Sequence, residues 1–213
     1  MERSSLEGVK FVVRTMAQTA VDNEKYFGDL DAVVGDGDFG YSLARGFEKV
    51  LLEWDTIEYN NISTFLKKVS IIITSRIGGT SGPIWGTAFL RAAIAIGDKQ
   101  EIDAKDAIGM LRAAIEGIKK RGQSDLGDKT LLDALVPAVD QLEQALSAST
   151  DVPTALAQAT AVAREHAEAT RGMIAKRGRA AYTGERSIGS LDAGAVGVAV
   201  MFEAVSKAWS SPD

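Results

Sequence analysis

Apolar residues recur along this chain at spacings of three and four almost from end to end. Val9, Val12, Val13, Met16 and Ala20 make one stripe, and Leu43, Phe47, Val50, Leu51 and Trp54 make the next. Ile62, Phe65, Leu66, Val69, Ile72 and Ile73 follow, then an alanine-rich stretch from Ile84 to Ile96. That spacing places successive apolar side chains on one face of an α-helix. The β-branched run 71–74 would suit a short strand by itself, but it lies inside a longer helical stripe. Ile108, Leu111, Ile115 and Ile118 predict a fifth helix, started near Asp103 and stopped by Gly122. A sixth spans Thr130 to Leu146, with Pro137 expected to kink it. Pro153 suits a helix start, and the pattern from there reaches about Lys176. Ala193 to Trp209 closes the series, entered through Asp192 and Gly194. Eight helices on short connections, with no convincing strand pair, predict all-α antiparallel packing in a single domain over residues 1–213.

Composition narrows the function more than the fold. The net charge of −5 carries no basic block, which argues against nucleic acid as a partner. The absence of cysteine excludes disulfides, thiolate nucleophiles and zinc–thiolate sites. No apolar run approaches membrane-spanning length, and the N-terminus lacks the profile of a signal peptide, so a soluble cytoplasmic protein is expected. The single histidine, His166, lies well inside a helical pattern with no nucleophile beside it to activate, so a structural or surface role is expected.

Chemistry concentrates where the first stripe breaks. Residues 31–40 hold three carboxylates, Asp31, Asp36 and Asp38, and three glycines, Gly35, Gly37 and Gly40. Carboxylates that close repel one another unless a cation or several donors neutralise them. At about 100° per residue, a helix would set Asp36 and Asp38 on nearly opposite sides. They converge only if the glycines form a loop. The next helix offers unpaired N–H groups suited to phosphate. Magnesium takes hard oxygen ligands and shares them with phosphates, whereas the EF-hand pattern for calcium is missing. An acidic turn with an N-cap explains an isolated Asp-Gly-Asp, but it leaves the third aspartate and Gly40 without a reason.

Three further segments suit a ligand. Gly78-Gly79-Thr80-Ser81-Gly82-Pro83 combines glycines and hydroxyls before a helix, without the Lys of a Walker A loop. The stretch 120–131 ends one helix at Gly122 and starts another near Asp128, with Leu131 as core or as an apolar contact for a base. The glycine-rich stretch 177–194 carries Arg179 and Arg186, planar cations suited either to phosphate or to a neighbouring carboxylate.

Taken together, Gly35-Asp36-Gly37-Asp38-Phe39-Gly40, Gly78-Gly79-Thr80-Ser81-Gly82-Pro83, 127–135 and 184–189 resemble the L subunits of dihydroxyacetone kinases over essentially the whole chain. The resemblance implies an eight-helix antiparallel barrel with a nucleotide, ADP or ATP, bound at one end. By the same resemblance Asp31, Asp36 and Asp38 hold two magnesium ions. Phe39, Gly40, Tyr41 and Ser42 line the phosphate end with Thr80 and Ser81. Gly122 and Leu131 border the adenine and ribose, and Arg179 and the turn Asp192-Ala193-Gly194 close the site. It implies phosphoryl transfer to dihydroxyacetone or a related small ketose held covalently on a histidine of a separate K subunit, so this chain reads as half an enzyme. The donor is either exchanging ATP, or a bound ADP rephosphorylated by a phosphotransferase-system protein. Two other roles are compatible with the same motifs: an ADP-loaded regulatory subunit, and the nucleotide domain of a fatty-acid-kinase-like system. One position departs from the family pattern, with Phe39 where a histidine is usual; the loss of that polar group raises a four-carbon ketose as an alternative acceptor.

Overall fold

The computed structural model describes residues 5–211. Among them nine α-helices form: α1 (Ser5–Asp22), α2 (Glu24–Asp31), α3 (Phe39–Leu52), α4 (Ile62–Arg76), α5 (Ser81–Ile96), α6 (Ala104–Gly122), α7 (Leu132–Ser147), α8 (Val152–Ala169) and α9 (Ala193–Ser210). No strand occurs among the described residues, and the run 71–74 belongs to α4. The helix that the apolar spacing does not predict is α2. Phe27 is its one buried residue, so it carries no apolar stripe to detect. It continues α1 across Asn23, which leaves helical dihedrals (φ −106°, ψ 15°) while its side-chain amide donates to the Thr19 carbonyl at 2.8 Å.

Counting α1 and α2 as one interrupted stave restores eight. Each stave packs on the next in chain order, and α9 returns to α1, so the ring closes. Phe27, Leu43, Phe47, Ile62, Phe65, Val69 and Ile73 fill its interior with no exposed surface. Phe47 meets Trp85 edge-on at 6.0 Å, and Trp54 meets Phe65 at 5.6 Å. Neighbouring staves approach closely where small residues face each other: the Ser70 hydroxyl donates to the Gly86 carbonyl at 2.6 Å, and Ser63 to Ala93 at 2.8 Å. Phe11 of α1 stacks edge-on against Trp209 of α9 at 5.6 Å, which fastens the first stave to the last.

Two boundaries differ from the sequence pattern. α7 starts at Leu132 rather than Thr130, because residues 127–130 fold onto Asp133, and it runs on through Pro137. α8 ends at Ala169 rather than near Lys176. There the buried Thr170 hydroxyl donates to the Ala167 carbonyl at 2.6 Å and accepts the Asp192 N–H at 3.0 Å, which turns the chain toward α9. Between α8 and α9 the chain makes a 3-10 turn at Thr170–Gly172 and a longer 3-10 stretch at Arg179–Ser187. No helix among the described residues is long and apolar enough to cross a membrane.

Alternation of the staves decides where the loops fall. The ends of α2, α4, α6 and α8 and the starts of α3, α5, α7 and α9 share one end of the barrel. All four candidate segments therefore meet there.

Candidate functional site

The break between α2 and α3 gathers the three aspartates. One carboxylate oxygen from each of Asp31, Asp36 and Asp38 lies within 4.8 Å of the other two. Gly37 makes the reversal between Asp36 and Asp38 with φ +77°, a left-handed conformation that a side chain disfavours. Gly40 serves by close approach instead. A Cβ there would strike the Glu24 carbonyl oxygen and the Gly28 amide nitrogen, so the first turn of α3 sits directly on the backbone of α2. Arg45 ties the same two helices together through Glu24 at 2.5 Å. Asp38 stands at the N-cap position of α3 but makes no capping bond, which leaves its carboxylate in the cluster. Asp31 accepts the Phe39 N–H at 3.4 Å.

Arg179, from the 3-10 stretch after α8, enters this cluster. Its guanidinium pairs with Asp36 and reaches Asp38 at 3.4 Å, offsetting the repulsion among the carboxylates. Arg186 instead donates to the Thr183 carbonyl of its own segment at 3.4 Å. Thr80 precedes α5 without a capping bond from its side chain, and Ser81 opens that helix. The first-turn N–H groups of α3 and α5 lack intrahelical partners and carry the positive end of the helix dipole, an arrangement that favours anions. Tyr41 is exposed, with the Arg45 guanidinium 5.2 Å from its ring centre.

Phe39 stands apart from its neighbours. Its ring packs on Phe27 at 6.2 Å and lies against Gly197 of α9, so the half-buried side chain leans on the core while the N–H turns toward Asp31. Phe39→His is therefore expected to cost about 1–2 kcal/mol of stability by polar burial, measured in urea, with magnesium-dependent nucleotide affinity held within about twofold. A large change in affinity would show that this ring does face the ligand.

On the opposite wall, Gly122 ends α6 beside Ile84 and Ser124. Leu131 lies against Gly194, which brings the starts of α7 and α9 together. Asp192 caps α9 by accepting the Ala195 N–H at 2.7 Å, and Ala193 is buried. Burial pushes the Asp192 carboxyl up to about 7; the Ala195 N–H opposes this, Asp133 and Asp31 add to it, and Lys129 works against it. Because folding raises this pKa, the stability it contributes is present below about pH 4 and is lost as pH rises through about 7. Metal-free protein should thus melt at progressively lower temperature across that window, and Asp192→Asn should flatten the decline. Parallel melting curves for the two proteins across that range would contradict it.

Two buried polar residues escape a reading of the sequence. Asp133 is 2% exposed and accepts the Gly127 N–H at 2.5 Å and the Thr130 N–H at 2.7 Å. A signal for it exists, since it lies three residues before Val136 on the buried face of α7. Lys129, 3% exposed, sits in the loop and obeys no periodicity that could flag it.

Converging carboxylates at the mouth of a closed helical barrel, beneath several helix starts, give an all-α scaffold an end whose chemistry suits cations and phosphates. Residues 33–207 match the DAK2 domain model, and the chain belongs to that family. It is 39% identical over 184 residues to the ADP-binding subunit DhaL of the PEP-dependent dihydroxyacetone kinase of Escherichia coli K12, covering 86% of this chain and 88% of that one. The L-erythrulose 1-kinase of Mycolicibacterium smegmatis is 35% identical over 207 residues, which is 96% of this chain but 36% of that longer protein. Among solved structures, the dihydroxyacetone kinase of C. freundii in complex with AMP-PNP and Mg2+ superposes with a TM-score of 0.73 at 27% identity, over 92% of this chain and 33% of that one.

Proposed function

We propose that this chain is the nucleotide-binding subunit of a dihydroxyacetone-kinase-type phosphotransferase of the cytoplasm, with residues 1–213 acting as one domain. It would hold ADP or ATP with magnesium, and the phosphoryl group would pass to dihydroxyacetone or a related small ketose on a separate K-type subunit. The observation that carries this reading is the convergence of Asp31, Asp36 and Asp38 within 4.8 Å at an end ringed by helix starts.

The donor set suits a hard divalent cation, and the three aspartates would hold two such ions. Bound magnesium supplies neutralisation of the charge spread over the transferring phosphoryl group. The chain's own groups do the positioning. The first-turn N–H groups of Gly40 and Tyr41 would donate to phosphate oxygens, joined by Ser42 through its hydroxyl, since its N–H is taken by the Asp38 carbonyl, and by Thr80 and Ser81. Arg179 exchanges its carboxylate partners for a phosphate. Gly122 and Leu131 border the base and ribose, and the turn 192–194 closes the far side.

The description of relatives as ADP-binding subunits of PEP-dependent, and in one case PTS-dependent, kinases supports the mode in which ADP stays bound and a phosphotransferase-system protein recharges it. In that mode, protein purified without added nucleotide releases one equivalent of ADP when denatured, and transfer to dihydroxyacetone requires both the K-type subunit and the donor protein. A parallel assay with erythrulose ranks the acceptors. Failure of the purified chain to bind magnesium and ADP by calorimetry would overturn the reading.

The dual position of Arg179 gives a sharper expectation. Arg179→Met removes a cation that competes for the carboxylates and also a phosphate partner. Affinity for magnesium alone should rise while affinity for magnesium·ADP falls about tenfold. If both move in the same direction, the exchange does not occur.

A further inference from the structure

Lys129 is almost wholly buried, yet every group its ammonium hydrogen-bonds is neutral; Asp192 and Arg171 act on it only through space, with opposite sign. Nζ donates to the carbonyls of Ser187 at 2.5 Å, Ser190 at 2.8 Å and Met173 at 3.3 Å, and to the Ser190 hydroxyl at 3.1 Å. Burial holds its pKa below the usual lysine range. A buried charge is tolerated when hydrogen bonds replace its water, and here four oxygens do so. The backbone of Lys129 is itself in the left-handed region, at φ +60°, a conformation that a non-glycine residue seldom takes without an anchor.

The acceptors all belong to one stretch. Met173 comes after α8, Ser187 ends the 3-10 stretch and Ser190 precedes α9, so residues 173–190 wrap around a single ammonium. That stretch has little else to fold on. Of its residues only Ala175, Ser187 and Ser190 are buried, while Tyr182 is 87% exposed and Ile188 50%. Asp128, next to Lys129, adds an outer clamp: its carbonyl accepts the Lys176 N–H at 3.0 Å, and its carboxylate pairs with Lys176 and Arg177 at 3.4 and 3.3 Å. Arg179, which reaches Asp36 and Asp38, extends from this stretch.

We infer that Lys129 is a tethered cation in a carbonyl-lined site, and that by gathering residues 173–190 around its ammonium it positions Arg179 over the aspartate cluster. The donor set, carbonyl oxygens with one hydroxyl, is one that potassium also accepts in place of its hydration shell. Lysine therefore supplies covalently what a monovalent ion would supply by binding. The functional consequence rests on the nucleotide-subunit reading above, because the group that Arg179 meets there is a phosphate.

The test is calorimetric titration of magnesium·ADP into full-length wild-type, Lys129→Met and Lys129→Ala proteins, with amide hydrogen exchange over residues 173–190. Lys129→Met should weaken binding by at least about tenfold and deprotect 173–190 while the helical staves keep their protection, since several buried acceptors lose their donor. In Lys129→Ala, potassium or methylammonium, against choline at equal ionic strength, should recover most of that loss. Equal affinity in all three salts overturns the tethered-cation role, and wild-type affinity in Lys129→Met overturns the positioning role. Ser190→Ala leaves the lysine in place and decides the matter if the Lys129 variants do not fold: about two- to fivefold weaker binding supports the inference, and unchanged binding refutes it. Absence of binding by the wild-type protein would instead refute the nucleotide-subunit reading, so the two failures are distinguishable.

Discussion

Asp36→Asn abolishes magnesium-dependent nucleotide binding and leaves the helical barrel folded: that is the largest functional effect expected of a single substitution in this chain. Asp36 contributes nothing to the core. Its side chain is part-exposed, and its ion-pair partner among the described residues is Arg179. An amide keeps the shape of the carboxylate but loses its charge, and magnesium holds neutral oxygens far less well than ionised ones. Affinity for magnesium·ADP should fall by roughly a hundredfold or more. The melting temperature in the absence of metal should hold or rise slightly, because one of three repelling charges is gone. Calorimetry with a circular-dichroism melt on the same sample reads both. Undiminished affinity would remove Asp36 from the site, whereas collapse of the melt would make it a structural residue.

Gly40→Ala should act through the scaffold and be felt at the site. The added methyl would press on the Glu24 carbonyl oxygen and the Gly28 amide nitrogen, and both are backbone atoms inside α2. Neither can rotate away as a side-chain tip would. Relief requires α2 and α3 to separate at the point where Asp31 ends one and Asp38 precedes the other. A loss of about 2–4 kcal/mol in urea unfolding is expected, together with a drop in magnesium affinity out of proportion to the stability lost. Ser42→Ala, close by in the same helix, is the control and should leave stability within about 1 kcal/mol. Comparable stability for Gly40→Ala and wild type would mean that the two helices do not meet this closely.

Much of this architecture is legible in the chain because its staves are amphipathic and its strongest signal is local. Leu43, Phe47 and Val50 announce α3 by spacing alone, and the crowding of Asp31, Asp36 and Asp38 demands a loop and a counter-charge before any coordinates are known. The hidden features depend on contacts between distant residues or on the absence of a pattern. α2 buries only Phe27. The 3-10 stretch that presents Arg179 buries almost nothing, so no periodicity marks it. Lys129 matters through carbonyls that lie 44 to 61 residues further along the chain. Phe39 is the instructive case. Its position in an acidic motif points to the ligand, yet the first turn of α3 directs its ring onto Phe27 and its N–H toward Asp31.

The aromatic contact that fastens α1 to α9 also fixes where the chain can be joined to something else. With an even number of alternating staves, the start of α1 and the finish of α9 emerge side by side at the end remote from the aspartates, with Phe11 and Trp209 stacked between them. Another domain can be tethered to either terminus without obstructing the mouth of the barrel. A short linker could equally splice the two termini together and open the chain at residues 97–103, a connection at the same remote end, yielding a circular permutant whose loops around Asp36 are untouched.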